Sequence, residues 1–216
     1  MDNFKKWKDF LLPYKFALDE LQTKINIIAE EAKFMNDYNP MEHIKTRLKT
    51  PQSIMQKLKR KNIEPTLDNA KMKLFDIAGL RIVCPFTTDI YIIHHQLLKR
   101  TDINVVEVKD YIRFPKPNGY QSLHMIIEVP ITLSTGVEHV YAEIQLRTLA
   151  MDFWASIEHK IFYKYGKAIP AYLEKELKEA AHTANLMDVK MKRIHEEVKS
   201  IKQENDDEVY LYLQQP

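Results

Sequence analysis

The sequence predicts a mixed α/β (α+β) fold, a small mixed β-sheet flanked by long N- and C-terminal helices. Apolar residues recur at helical spacing over about 3–34 and again from Pro170 to about 204. Between them, over about 79–148, the pattern shifts to the period of two that strands show. A chain of 216 residues, 45% of them hydrophobic, is long enough to bury a real core and too short for several large domains. One domain over 1–204 is expected, with a loosely held tail at 205–216 that is acidic and then rich in Tyr and Gln.

In the first helix, Phe10, Tyr14, Ala17, Leu18, Leu21, Ile25 and Ile28 form one stripe, with Pro13 the only interruption. Pro40 and Pro51 then punctuate a short basic region, Pro65 ends a second helical piece, and Leu74 leads into the first strand. Strands are expected at about 79–85, 103–112, 122–131 and 138–148, with a helix at about 88–100 joining the first two. Ser134-Thr-Gly136 suits a hairpin turn. Helix resumes at about 149–165, and beyond Pro170 a stripe of Leu173, Leu177, Ala180, Ala184, Met187 and Met191 marks the last helix. The apolar stripes of the terminal helices exceed what so small a sheet can cover, so self-association is expected.

Composition excludes several classes of function. Lys and Arg total 32 against 30 Asp and Glu, a formal charge of +2, so the chain does not coat nucleic acid through bulk charge and any anion site must be local. The four glycines, at 79, 119, 136 and 166, write neither a GxGxxG nor a GxxxxGK[ST] loop. Cys84 is the sole cysteine, which removes internal disulfides and thiolate zinc clusters and fits a reducing cytosol. No apolar leader follows Met-Asp-Asn-Phe-Lys-Lys-Trp, and no segment approaches ~18 uninterrupted apolar residues, so a cytoplasmic protein without a membrane partner is expected.

Four segments carry chemistry. From Glu42 to Glu64 there is no acid between the ends, yet there are seven cations: Lys45, Arg47, Lys49, Lys57, Lys59, Arg60 and Lys61. Thr50-Pro51 reads as a helix start, with Ser53 and Lys57 on one face and Ile54 and Leu58 on the other, a cradle for a polyphosphate or simply a solvated basic helix. In Val140–Arg147 the strand period places Tyr141, Glu143, Gln145 and Arg147 on one face, and antiparallel pairing brings His124 toward Glu143, unless this is an ordinary solvated sheet face. Asp76 precedes the first strand; with Glu143 it makes a hard oxygen pair suited to Mg²⁺ and bound phosphates, while alone it reads as a cap. In the loop 110–124, Pro115 and Pro117 stiffen the chain and Asn118-Gly119 permits a turn. Tyr120 then stands beside Lys116 and Arg113 as a platform for a base or as a ring closing the loop.

Together, Thr46-Arg-Leu-Lys-Thr-Pro-Gln-Ser-Ile-Met-Gln-Lys57, Asp76-Ile-Ala-Gly-Leu-Arg81, Pro115-Lys-Pro-Asn-Gly-Tyr-Gln-Ser-Leu-His124 and Glu143-Ile-Gln-Leu-Arg-Thr148 resemble the synthetase domain of the RelA/SpoT homologue family. The likeness is to its small single-domain alarmone synthetases, of RelP/RelQ type and closer to RelP. It implies a nucleotidyltransferase-like synthetase fold and transfer of the β,γ-pyrophosphoryl group of ATP to the 3′-hydroxyl of GTP or GDP, yielding (p)ppGpp and AMP. By the same resemblance Arg47 and Arg81 would sandwich adenine, and Lys49, Ser53 and Lys57 would hold the ATP phosphates. Asp76 and Glu143 would bind Mg²⁺, with Glu143 also taking the 3′-OH proton; Tyr120 would stack on guanine, Lys116 and His124 would hold acceptor phosphates, and Gln145 would lie close by. Gln121 replaces an Arg usual in the family, and Gln22 and Asn26 stand where RelQ-like chains carry lysines for an activating alarmone, which implies little activation by product. A homotetramer is the expected assembly, and with no His-Asp hydrolase motif, alarmone breakdown is not expected. A non-catalytic RNA-binding module, resting on 43–63 and the aromatic loop, is the second reading. A nucleotidyltransferase acting on RNA ends would want two closely spaced acids on one strand, and none accompanies Asp76. His94 and His95 read as surface or interface residues rather than metal ligands; Asp152 and His159 share a helical face that would meet either the active cleft or a neighbouring subunit, and the role of Glu158 stays open.

Overall fold

The computed structural model describes the backbone of residues 2–36, 38–165 and 170–213, with side chains at 4–35, 38–161 and 170–202. The elements in chain order are α1 (Asp2–Asn36), β1 (His43–Leu48), α2 (Pro51–Arg60), α3 (Leu67–Lys73), β2 (Ala78–Cys84), α4 (Thr87–Leu98), β3 (Asn104–Asp110), β4 (Leu123–Leu133), β5 (Gly136–Thr148), α5 (Leu149–Tyr165) and α6 (Ala171–Leu213). The chain divides into two compact units, 1–149 and 150–216.

The first unit is built on a five-stranded mixed sheet in the order β1-β2-β5-β4-β3, with β2 parallel to β5 and every other pair antiparallel. Alternation decides its two faces. Leu80 and Ile82, Leu123, Met125 and Ile127, and Val140, Ala142, Ile144 and Leu146 are buried on the apolar face. Contacts with these strands come from α1, whose Tyr14, Ala17, Leu18, Leu21, Ile25 and Ile28 are all buried, and from α4, which buries Ile90, Ile93 and Leu97. Pro13 lies inside α1 without ending it. β4 and β5 form a long hairpin in which Leu133 pairs Gly136 across Ser134-Thr135, and Gly136 takes a φ of +130° that a side chain would strain.

Three expectations are corrected. Residues 43–48, expected only as part of a short basic region, are strand β1: His43, Lys45 and Arg47 point to one side and Ile44, Thr46 and Leu48 to the other, the charged guise of an edge strand. Residues 67–73, left between Pro65 and the first strand, form α3, capped by the Thr66 hydroxyl, which accepts from the Asn69 amide at 3.2 Å. The last helix, expected to end near 204, continues to Leu213, because no Gly or Pro interrupts it before Pro216. That helical backbone takes in most of the expected tail, 205–216; residues 214–216 lie outside the described ones.

In the second unit the Trp154 indole donates to the Leu177 carbonyl at 2.9 Å, and Trp154 and Ala181 are buried. Among the described residues no helix is long and apolar enough to cross a membrane.

Candidate active site

The polar face of the sheet is assembled by register. One cross-strand row runs Arg47, Gly79, Glu143, Ile126, and the next runs Lys45, Arg81, Gln145, His124. Partners in register share a face, so the four polar residues of the second row, distant from one another in sequence, become neighbours in space. Gly79 contributes no side chain between Arg47 and Glu143, and there the face opens into a cavity of about 340 Å³. Arg47, Lys49, Asp76, Arg81, Glu143 and Gln145 all line it.

Helix α2 supplies a further cation from one side. Its start is as expected: Pro51 occupies the first turn, and the Thr50 hydroxyl accepts from the Ser53 amide at 3.3 Å while donating to the Ser53 hydroxyl at 2.9 Å. Ile54 and Leu58 are fully buried, which turns Lys57 toward Asp76. The Asp76 carboxylate accepts at Oδ2 from both Lys57 and Lys49, the latter at 2.7 Å. Burial pushes the Asp76 carboxyl up, and the hydrogen bonds and charges of the two lysines outweigh it, holding it below its ordinary value. Lys49 is also shifted downward, because burial and the neighbouring Lys57 and Arg47 charges exceed what Asp76 restores. Asp76 Oδ1 is buried and has no hydrogen-bond partner.

At the far end of this face, the loop between β3 and β4 is closed by backbone bonds from Lys116 N–H to the Tyr120 carbonyl (3.1 Å) and from Gly119 N–H to the Lys116 carbonyl (2.8 Å), with Gly119 at φ +88°. That turn presents Tyr120 edge-on to His124, with Lys116 Nζ 4.8 Å from its ring centre and the Arg147 guanidinium 5.1 Å away. His124 Nδ1 lies 3.0 Å from Glu143 Oε1, and its Nε2 lies 2.7 Å from the Tyr120 hydroxyl. Gln145 Nε2 donates to Glu143 Oε2 at 2.8 Å. Burial raises the Glu143 carboxyl and Asp76 adds to that, yet the His124 hydrogen bond and charge, with Gln145, win and keep it below its ordinary value.

Of the eleven expected site residues, the structure brings ten into this one network of cavity walls and contacts. Ser53 stands one turn from Lys57 on α2 and is tied instead to Thr50. Residues 46–168 match the region found in RelA / SpoT proteins, a span that takes in all eleven. The chain is 52% identical over 202 residues to the GTP pyrophosphokinase YwaC of Bacillus subtilis, covering 92% of this chain and 96% of that one. The chain belongs to the RelA/SpoT family.

Its fold agrees with solved members of that family. The small alarmone synthetase 1 of Bacillus subtilis bound to its product pppGpp superposes with a TM-score of 0.84 at 41% identity, covering 90% of this chain and 98% of the other. The AMPCPP-bound form of that synthetase gives 0.77 at 37% identity over the same shares. One residue of the family's strand motif was passed over in the sequence: Arg147, 5% exposed, whose Nη2 donates to the Tyr120 hydroxyl at 2.7 Å and to Gln145 Oε1 at 2.9 Å. Its position on the polar face was legible; that a guanidinium there is buried under its neighbours was not. His94 is half-buried on α4 and His95 exposed, and no group of three or more His, Cys, Asp or Glu side chains able to hold a metal occurs among the described residues.

Proposed function

We propose that this chain is a (p)ppGpp synthetase that moves the β,γ-pyrophosphoryl group of ATP to the 3′-hydroxyl of GTP or GDP and releases AMP. The observation that carries the reading is the gathering of Asp76, Glu143 and the cations Arg47, Lys49 and Arg81 around one cavity, with Lys57 also reaching Asp76.

The reaction needs two polyanions in line, and fixed cations offset their repulsion at no reorganisation cost. Arg47 and Arg81, on adjacent strands, would flank the donor's adenine; Lys49 and Lys57 would take its phosphates, which would compete with Asp76 for the two ammonium groups. Tyr120 offers its ring to the acceptor's guanine, with Lys116 beside it for phosphate. The acceptor oxygen bonds to the β-phosphorus as the bond from that phosphorus to the α,β-bridging oxygen breaks. AMP leaves with that oxygen, and the hydroxyl proton goes to Glu143, which its low proton affinity keeps ionised beforehand.

Mg²⁺ fits the residues present. Asp76 Oδ1 is a buried oxygen without a partner, and Asp76 and Glu143 line the same cavity as hard oxygen donors. Two carboxylates completed by phosphate oxygens and water are the usual donor set for this ion. When bound, it neutralises phosphate charge and polarises the transferred group.

The RNA-binding alternative draws on the exposed Lys45, Arg47, Lys59, Arg60 and Lys61, but it gives no reason for Lys49 and Lys57 to turn inward onto Asp76. The synthetase reading is tested by incubating the protein with ATP, GDP and Mg²⁺. AMP and a guanosine tetraphosphate should appear in equal amounts, and their absence with both GDP and GTP would refute it. A cytoplasmic homotetramer completes the proposal, with its contacts on the exposed apolar residues of α6.

A further inference from the structure

Behind the cavity, five side chains close a ring of hydrogen bonds. Arg147 Nη2 donates both to the Tyr120 hydroxyl (2.7 Å) and to Gln145 Oε1 (2.9 Å). Gln145 Nε2 reaches Glu143 Oε2 at 2.8 Å, the other carboxylate oxygen lies 3.0 Å from His124 Nδ1, and His124 Nε2 lies 2.7 Å from the Tyr120 hydroxyl.

The chemistry of the two ends gives the ring a direction. A guanidinium only donates, and an ionised carboxylate only accepts. In the neutral form of His124, the Tyr120 oxygen accepts from Arg147 and turns its own hydrogen to His124 Nε2. That leaves the imidazole hydrogen on Nδ1, aimed at Glu143 Oε1. The Gln145 amide is oriented in the same sense, accepting from Arg147 and donating to Glu143. Two arms thus start at one buried guanidinium and end on the two oxygens of one carboxylate. A glutamate on a strand has three side-chain torsions to fix, and a donor on each oxygen fixes the plane of its carboxylate.

We propose that Arg147 is a positioning residue and that the Tyr120 hydroxyl, as distinct from its ring, belongs to the same device, a role that rests on the pyrophosphoryl-transfer reading above. Together they aim Glu143 at the acceptor hydroxyl. The ring that receives the acceptor's base and the carboxylate that receives its proton are held by the same guanidinium, so acceptor placement and base orientation are coupled.

The test compares single-turnover rate constants, which count only competent molecules, with acceptor affinity, in wild type, Tyr120→Phe, Arg147→Met and the double variant. Tyr120→Phe keeps the stacking ring and removes the hydroxyl. Its rate constant should fall about tenfold or more, on the scale set by small misplacements of reacting groups, while the Kd for GDP changes by less than about threefold, as expected of an interaction that serves the reaction rather than ground-state binding. Arg147→Met should fall at least as far, and adding Tyr120→Phe to it should cost nothing more, because the arm is already undone. An active wild type whose Tyr120→Phe variant keeps the full rate constant, or loses only acceptor affinity, overturns the inference, and so does full additivity in the double variant. If Arg147→Met does not fold, the Tyr120→Phe result decides alone. A wild-type chain that makes no product from ATP with either GDP or GTP overturns the synthetase reading itself and this role with it.

Discussion

Glu143 is surrounded by groups that hold it ionised and oriented, and an isosteric change separates those duties from binding. Glu143→Gln keeps the size of the side chain, so the cavity shape and the cations that line it persist. It cannot take up the acceptor's proton. Turnover should fall by at least ~10²-fold, the range of a general base, with ATP and GDP affinities nearly unchanged by calorimetry. Wild-type turnover in that variant would remove Glu143 from the role. Residue identities at this site are readable without coordinates, since strand parity places Glu143, Gln145 and Arg147 on one face and His124 on the neighbouring strand. Direction is not readable. His124, expected at the acceptor phosphates, has both ring nitrogens engaged, by Glu143 and by Tyr120. Lys49 and Lys57 are both engaged by Asp76. Which of several polar neighbours a side chain selects depends on register and rotamer, and a single sequence encodes neither in local pattern.

At the scale of elements, the long periodic segments are readable and the short or edge ones are not. α1, β4 and β5 announce themselves through many repeats of their period. β1 has only two apolar side chains, Ile44 and Leu48, amid His43, Lys45 and Arg47, and α3 spans seven residues, so neither stands out from the basic region and the Pro65 turn around it. The seating of α1 on the sheet has a measurable signature. Tyr14, 5% exposed, has its phenol raised to about 12 by burial and, secondarily, by the Glu138 charge. A proton held more tightly in the folded state gives stability that is complete below the unfolded value of 10.0 and is lost as pH rises through about 12. The loss is on the order of 2 kcal/mol for a shift of that size. Between pH 10 and 12 the melting temperature of wild type should therefore fall more steeply than that of Tyr14→Phe, in which the ring remains and the ionisable group is gone. Parallel curves in a calorimetric pH series would show that the phenol ionises as freely in the folded chain as in the unfolded one.

For the whole molecule, the decisive feature is apolar surface that this chain leaves uncovered. Along α6, Met187, Met191, Ile194, Val198 and Ile201 follow one another at intervals of four, three, four and three, the heptad spacing of a helix-to-helix seam. Each is between 42% and 57% exposed. The flanking surface is polar and laced with i,i+4 ion pairs, Lys192–Glu196 at 3.6 Å and Arg193–Glu197 at 2.9 Å, which suit a face left in water. Read from Leu173 onward, the stripe looks continuous in sequence, yet Ala181 is buried and the seam beyond it is not, a division that pattern alone does not reveal. A half-exposed seam of this length is stabilised by pairing with another copy of itself or of a like helix. Wild type should sediment as a multiple of the single-chain mass, with four chains expected. Ile194→Glu combined with Val198→Glu should shift it to smaller species while helical circular dichroism is retained, since Glu is a better helix former than either residue it replaces and both positions are about half exposed. Sedimentation of wild type at the mass of one chain would show that the seam does not assemble this protein. An unchanged mass in the double variant would move the contact to another surface.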